Sequence, residues 1–351
     1  MSTSPVPLTL IIPTHERQQY LFRVLNYYAE RMPGNITGLV VDSSADRYSG
    51  IVPPGFAYHH APGVPLMEKI RRIIPLVLSP YVVFCADDDF ILPRAALSCV
   101  AFLDANRDFA SAQGHYIMAK LNAGSVDLDA GYAAISQVHI QSNDPAERLL
   151  QLFSPYVQNF YAVHRRSTWE AFFTLPTQRV PHYCVLELLH AMLAAIHGKH
   201  AVLPLFYSVR DRSLEEDRKN PLRRVNIRSI STMPTYSDEY EAFLSGLAGQ
   251  LQQTAGLDDA SARHAVQNAV DLYIKNYTSP PKAKTLRRRV EKIAGKVVDL
   301  FGRGARRKRV EEESRRNELR RLLEGFDVLS KTELTDITRR IGAPQRETPR
   351  T

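Results

Sequence analysis

Cysteine is scarce. Cys85, Cys99 and Cys184 are the only three in 351 residues, and they are widely spaced in apolar surroundings. An odd, scattered set argues against a disulfide framework or a zinc site, and points to buried free thiols in a reducing compartment. No apolar run reaches the roughly 20 residues that span a bilayer. Met1 to Pro7 carries no basic stretch leading into an apolar one, so no secretory signal is expected. A cytoplasmic location is expected, with peripheral attachment to the inner face of the membrane as an extension of it. Tryptophan occurs once, at Trp169, and no internal repeat is visible. The hydrophobic fraction of 44% is ordinary for a globular protein. The length suits a main domain plus an extension rather than one small core.

The net positive charge is confined to one place. Between Lys282 and Arg309 twelve Lys and Arg face two acids, Glu291 and Asp299, a net of +10. The whole chain carries +8, which leaves about −2 for everything else. The high isoelectric point is therefore no sign that the body binds nucleic acid, and no nucleic-acid partner is expected.

The apolar pattern alternates between strand and helix. Leu8 to Ile12 reads as a buried strand ended by Pro13, and Gln18 to Arg31 as a helix stopped by Pro33-Gly34. Gly38 to Val41, Phe56 to His60 and Tyr81 to Cys85 read as further strands. Pro65 to Leu78 and a segment opening at Pro93 read as helices, and Val185 to Ile196 as an apolar helix closed by His197-Gly198-Lys199. Ala201 to Val209 reads as a strand. Ser237 to Leu251 and Ala260 to Tyr277 read as helices, a longer helical region runs from Leu286 to about Leu329, and a frayed tail begins at Gly342. The expected class is α/β, a mostly parallel Rossmann-like sheet with helices on both faces, followed by an α-helical C-terminal extension. The expected divisions are 1–235, a helical extension 236–281 and a basic helical tail 282–351.

In such sheets ligands bind beyond the carboxyl ends of the strands. Three polar clusters fall there: Thr14-His15-Glu16-Arg17, Asp42-Ser43-Ser44 and Asp87-Asp88-Asp89. Three adjacent carboxylates repel one another unless a cation neutralises them. Mg²⁺ typically takes one or two protein carboxylates plus substrate phosphates, so the triplet suits a diphosphate–metal site. A solvated acidic turn is the competing reading of the triplet alone.

Taken together, Leu10-Ile11-Ile12-Pro13-Thr14-His15-Glu16-Arg17, Val40-Val41-Asp42-Ser43-Ser44, and Phe84 to Asp89 with Pro93 resemble the three nucleotide-sugar signatures of GT-A glycosyltransferases of the family two type. The resemblance covers about residues 8 to 212. It implies a nucleoside-diphosphate sugar, with a UDP-sugar first in line, held by Pro13, Thr14, His15, Glu16, Arg17, Asp42 and the Asp triplet. It also implies Mn²⁺ or Mg²⁺ on Asp88 and Asp89. Aligned on Pro93, Asp88 becomes the direct ligand, Asp87 lies nearer the ribose, and Asp89 is an outer or sugar contact. His15 and Glu16 stand where the family usually has Tyr and Asn, and Ala86 where many members have the first Asp. Inverting members carry an acidic pair about a dozen residues before a Gly. Counting back from Gly198 gives Leu186-Glu187, so the first acid is missing and Glu187 falls on the general-base position. Glu187 also interrupts an apolar helix, where an acid is seldom fully buried unless paired. An exposed helix stripe is the alternative.

Further residues remain open between two roles. Lys69, Arg71 and Arg72 are either donor contacts or a solvated helix face. Arg210 and Arg212 either reach the diphosphate as charge-assisted donors or form surface ion pairs. His182 is either near the acceptor or a loop histidine. Trp169, with Phe160 and Tyr161 nearby, is expected in the core rather than in a sugar site. The segment 286–309 has apolar residues at helical spacing among its charges, which fits an in-plane helix on an anionic membrane. Coiled-coil self-association is the alternative. The function expected is metal-dependent, inverting transfer of a sugar to a glycan or lipid-linked hydroxyl. The rivals are a nucleotidyl- or phospho-sugar transferase, for which Pro13 to Arg17 lacks the Gly-rich loop, and a non-catalytic scaffold.

Overall fold

The computed structural model describes residues 6–131, 138–156, 158–176, 179–213, 225–278, 313 and 316–343. Four strands, β1 (Leu8–Thr14), β2 (Ile36–Asp42), β3 (Phe56–His60) and β4 (Tyr81–Phe84), pair in parallel in the order β3-β2-β1-β4. The apolar run of β1 is buried along nearly its whole length, as a central parallel strand covered on two sides requires. The sheet reaches nine strands with β5 (Phe90–Ile91), β6 (Phe109–Asn122), β7 (Ser125–Gly131), β8 (Val163–Arg165) and β9 (Lys199–Asp211). β8 lies antiparallel between β4 and β6, and β9 runs parallel to β6. β5 and β7 are antiparallel to β9 and β6. Six of the nine strands thus share one direction, and the expected mostly parallel sheet carries three reversed strands.

Connectivity changes direction at β1, whose neighbours β2 and β4 lie on opposite sides. Such a switch opens a crevice at the carboxyl ends of the strands, and the three polar clusters end up there. Helices α1 (Gln18–Arg31), α2 (Leu66–Ile73) and α3 (Pro93–Ala105) connect these strands. The helix read over 65–78 stops at Ile73. Pro75 lies in a following 3₁₀ turn, Ile74–Leu76, because a proline cannot supply the next helical N–H.

A second layer joins α4 (Pro145–Leu152), α5 (Arg166–Phe172), α6 (Tyr183–His197), α7 (Ile227–Thr232), α8 (Ser237–Ala255) and α9 (Asp259–Tyr277). α8 packs on α6 and α9, and α4 on α6 and α9. The last described helix, α10 (Val328–Gly342), lies against β6, β7 and β9 with Leu334, Ile337 and Ile341 buried. Ionic contacts fasten it: Arg31 to Asp336 at 2.7 Å, Arg94 to Asp327 at 3.0 Å, and Arg340 to Glu30 at 2.5 Å. One apolar core runs from the sheet through α8, α9 and α10.

The helical reading of 286–329 does not continue unbroken at its end. Residues 316–325 are helical, and the chain then turns at Phe326 and Asp327. The Asp327 side chain accepts from the Ser330 N–H at 2.7 Å and starts α10 afresh, the work of an N-cap. The basic stretch 286–309 lies outside the described residues, as does most of the tail beyond Gly342. No described helix is long and apolar enough to cross a membrane.

Candidate active site

A cleft of about 1010 Å³ opens at the strand ends, and both the Asp triplet and Glu187 line it. Pro13, Thr14, His15, Arg17, Lys69, Arg210 and Arg212 also line it, so most of the residues expected to bind the donor share one wall system.

The triplet is unevenly exposed. Asp87 is buried, accepts from Thr14 Oγ1 at 2.6 Å and pairs with Arg17 Nη1 at 3.0 Å. Burial pushes its carboxyl up to about 7 despite the pull of Arg17. Asp89 is also buried and also pushed up to about 7, first by burial and then by the charge of Asp88. Both its oxygens are engaged, Oδ1 by the Asp211 N–H at 2.8 Å and Oδ2 by Arg210 Nε at 3.3 Å. Asp88 is the most open of the three and pairs with Arg17 Nη2, while its carbonyl accepts from Arg23 at 2.9 Å. Among the described residues no three His, Cys, Asp or Glu side chains converge on one metal position. The chemistry of the donors still fits a divalent ion that takes one open carboxylate and completes its shell with substrate oxygens and water. Asp88 is placed to be that carboxylate, more so than Asp89.

Around β2 the geometry is tight. Asp42 is fully buried: Oδ1 accepts from the Ser44 N–H at 2.8 Å and from Ser44 Oγ at 2.6 Å, and Oδ2 from Tyr58 at 2.7 Å. The cleft wall there is formed by Ser43 rather than by Asp42. Glu16 adopts a left-handed φ of 53° and turns its carboxylate to the Ala45 N–H at 2.6 Å, away from the cleft lining. His15 does line the cleft, with Nδ1 3.1 Å from the Ser43 carbonyl. Lys69 is buried at the floor, and Nζ donates to the Thr14 carbonyl at 2.5 Å and to Ser43 Oγ at 3.0 Å. Burial lowers its ammonium to about 8. Arg71 and Arg72 instead pair with Glu68 on an exposed helix face, at 2.7 and 2.9 Å.

Glu187 sits on α6, a helix buried at nearly every position. The half-buried positions before its last residue are Tyr183, Cys184 and Glu187, which share one face by their spacing and line the cleft. The acid that interrupts the apolar run therefore faces the cleft rather than an outer stripe. Oε1 accepts from Tyr156 at 3.0 Å and from Gln158 Nε2. Both ends of α6 are held. Arg148 donates to the Ala195 and Ile196 carbonyls at 2.6 and 2.7 Å. Gly198 lets the chain pass β6, where a Cβ would lie 2.8 Å from the Ala110 nitrogen. At the other end His182 Nδ1 meets Glu239 Oε2 at 2.6 Å, tying α6 to α8 and turning His182 to a structural task.

Some site residues carry no sequence signal. Gln158 and Tyr156 come from the stretch between α4 and β8, which has neither motif nor period, while Tyr161, noted beside Trp169, lines the cleft. Arg210 stacks 4.7 Å over the Tyr161 ring and donates to Gln158 Oε1 at 2.6 Å. Arg212 is exposed at the rim. Trp169 is fully buried and stacks on His190 at 4.0 Å, so its core assignment stands.

No family model matches the sequence, and no curated protein matches it. Solved structures do resemble it. S. aureus TarS 1–349 in complex with UDP-GlcNAc superposes with a TM-score of 0.52 at 16% identity, over 77% of this chain and 73% of that one. The same fragment in complex with UDP gives 0.45 at 17% identity, over 76% of this chain and 89% of that one. The nine-stranded sheet, its helical C-terminal region and the first of these superpositions together give the chain a GT-A-like α/β fold.

Proposed function

We propose that the protein is a glycosyltransferase that takes a sugar from a UDP-sugar and passes it to an acceptor hydroxyl with inversion. The observation that carries this reading is the shared cleft, lined by both an acidic triplet and one helix-borne carboxylate, Glu187. The binding of UDP-GlcNAc by TarS, whose fold is similar, supports a UDP-sugar as the donor. Arg17, Lys69 and Arg210 supply cations to the diphosphate, and His15 offers a ring for the base. A divalent ion on Asp88 would neutralise charge that develops on the leaving diphosphate. Glu187 takes the proton of the acceptor hydroxyl as it attacks the anomeric carbon from the face opposite the diphosphate. The basic segment 286–309 supports an acceptor presented at an anionic membrane, such as a lipid-linked glycan.

The test is thermal stability with UDP, other nucleoside diphosphates and their sugars, with and without Mn²⁺. A ligand at about a hundred times its dissociation constant adds roughly 2.7 kcal/mol. UDP should stabilise the protein, Mn²⁺ should enhance the effect, and Asp88→Asn should abolish the enhancement. Absence of stabilisation by every nucleotide would overturn the reading.

A further inference from the structure

A chain of side chains joins the Asp triplet to Glu187. Asp89 Oδ2 meets Arg210 Nε at 3.3 Å, Arg210 Nη1 meets Gln158 Oε1 at 2.6 Å, and Gln158 Nε2 meets Glu187 Oε1. A guanidinium has only donors, so the amide must turn its oxygen to Arg210 and its NH₂ to Glu187. The orientation of this one amide is thus set by Arg210 and felt by the Glu187 carboxylate. Tyr156 donates to the same Glu187 oxygen at 3.0 Å. With Oε1 taken twice, Oε2 is left as the atom that accepts a proton, and no described residue donates to it.

We infer that Gln158 is a positioning residue that couples the donor site to the base: Arg210 fixes the Gln158 amide, and the amide fixes the rotamer of Glu187. This rests on the reading of Glu187 as a base. A misplacement of about 1 Å at a reacting group costs about 10²-fold in rate. Gln158→Met keeps the length and shape but removes both hydrogen bonds. Gln158→Glu keeps the acceptor toward Arg210 but sets a second carboxylate against Glu187, replacing the donor by a repulsion.

The experiment compares the whole protein with these two variants in UDP titration and in UDP release from UDP-GlcNAc. The expected result is a UDP dissociation constant for Gln158→Met within about twofold of the parent, with kcat lower by about 10²-fold. Gln158→Glu should lose kcat as severely, although the space is still filled. A role in packing alone would leave Gln158→Met active, because its shape is kept, and a role in donor binding would raise the UDP dissociation constant and KM together; either result overturns the inference. If the parent protein neither binds UDP nor releases it from the sugar, the transferase reading has failed first. UDP affinity of the parent separates that case from failure of the coupling alone.

Discussion

Replacing Glu187 by glutamine isolates proton acceptance from shape. The amide oxygen of the substituted side chain can still accept from Tyr156 and Gln158, the partners that the carboxylate holds at Oε1. The new NH₂ takes the place of Oε2 at the cleft. Folding should therefore be almost unaffected. Alanine would instead leave two donors without an acceptor, at about 1–3 kcal/mol for each one kept from water. The chemical loss is larger: a general base contributes about 10²- to 10⁴-fold, so Glu187→Gln should lower kcat by at least about 10²-fold, roughly 2.7 kcal/mol of barrier. The assay pairs UDP release from UDP-GlcNAc with UDP affinity measured by calorimetry. Reduced kcat at unchanged affinity is the expected pattern. Turnover that stays within about threefold of the parent, or a loss confined to affinity, would refute the assignment of the base.

Other consequences are as open to measurement. Lys69 has an ammonium lowered to about 8, so between that value and its ordinary 10.5 the unfolded chain holds the extra proton. The stability contribution of this group should then rise with pH across that window, while affinity for anionic UDP should fall as pH passes about 8. Both trends should vanish in Lys69→Met, and parallel pH profiles for the two proteins would count against a donor role. Ile337→Ala on α10 removes a fully buried side chain and should cost about 2–5 kcal/mol in urea unfolding. A cost below about 0.5 kcal/mol would mean that α10 is not docked in solution. Changing Arg287, Arg288 and Arg289 to glutamine should weaken co-sedimentation with anionic vesicles by about 3 kcal/mol, near 1 kcal/mol per charge, while α10 is left in place. Equal binding by both forms would remove the membrane role.

What was legible from sequence had a period or punctuation. The unbroken apolar run Leu8–Ile12, the helix between Gln18 and Pro33, and Pro93 at the first turn of α3 each declare themselves locally. The strand β6 does not. Phe109 to Asn122 is buried over most of its length, so it lacks an in–out alternation, and its register with β9 shifts near Gln113 and His115. The pairing of Arg71 and Arg72 with Glu68 follows from three- and four-residue spacing. By contrast, the engagement of Asp42 depends on Tyr58, sixteen residues further on and one strand across. Counting back from Gly198 found Glu187 because close approach to β6 fixes that glycine, and a helix of set length fixes the rest. No count leads to Gln158, whose two contacts exist only once β9 and α6 come together.

The contact between His182 and Glu239 has a mechanical meaning. α6 is a rod gripped at both ends, and one of the grips belongs to the helical region after the sheet. The alignment of Glu187 is therefore referenced to two frames at once, the strands that carry the triplet and the helices that hold α6. Displacement of either frame is passed on to Glu187. Glu239, which does not itself line the cleft, thus helps to place a side chain that does.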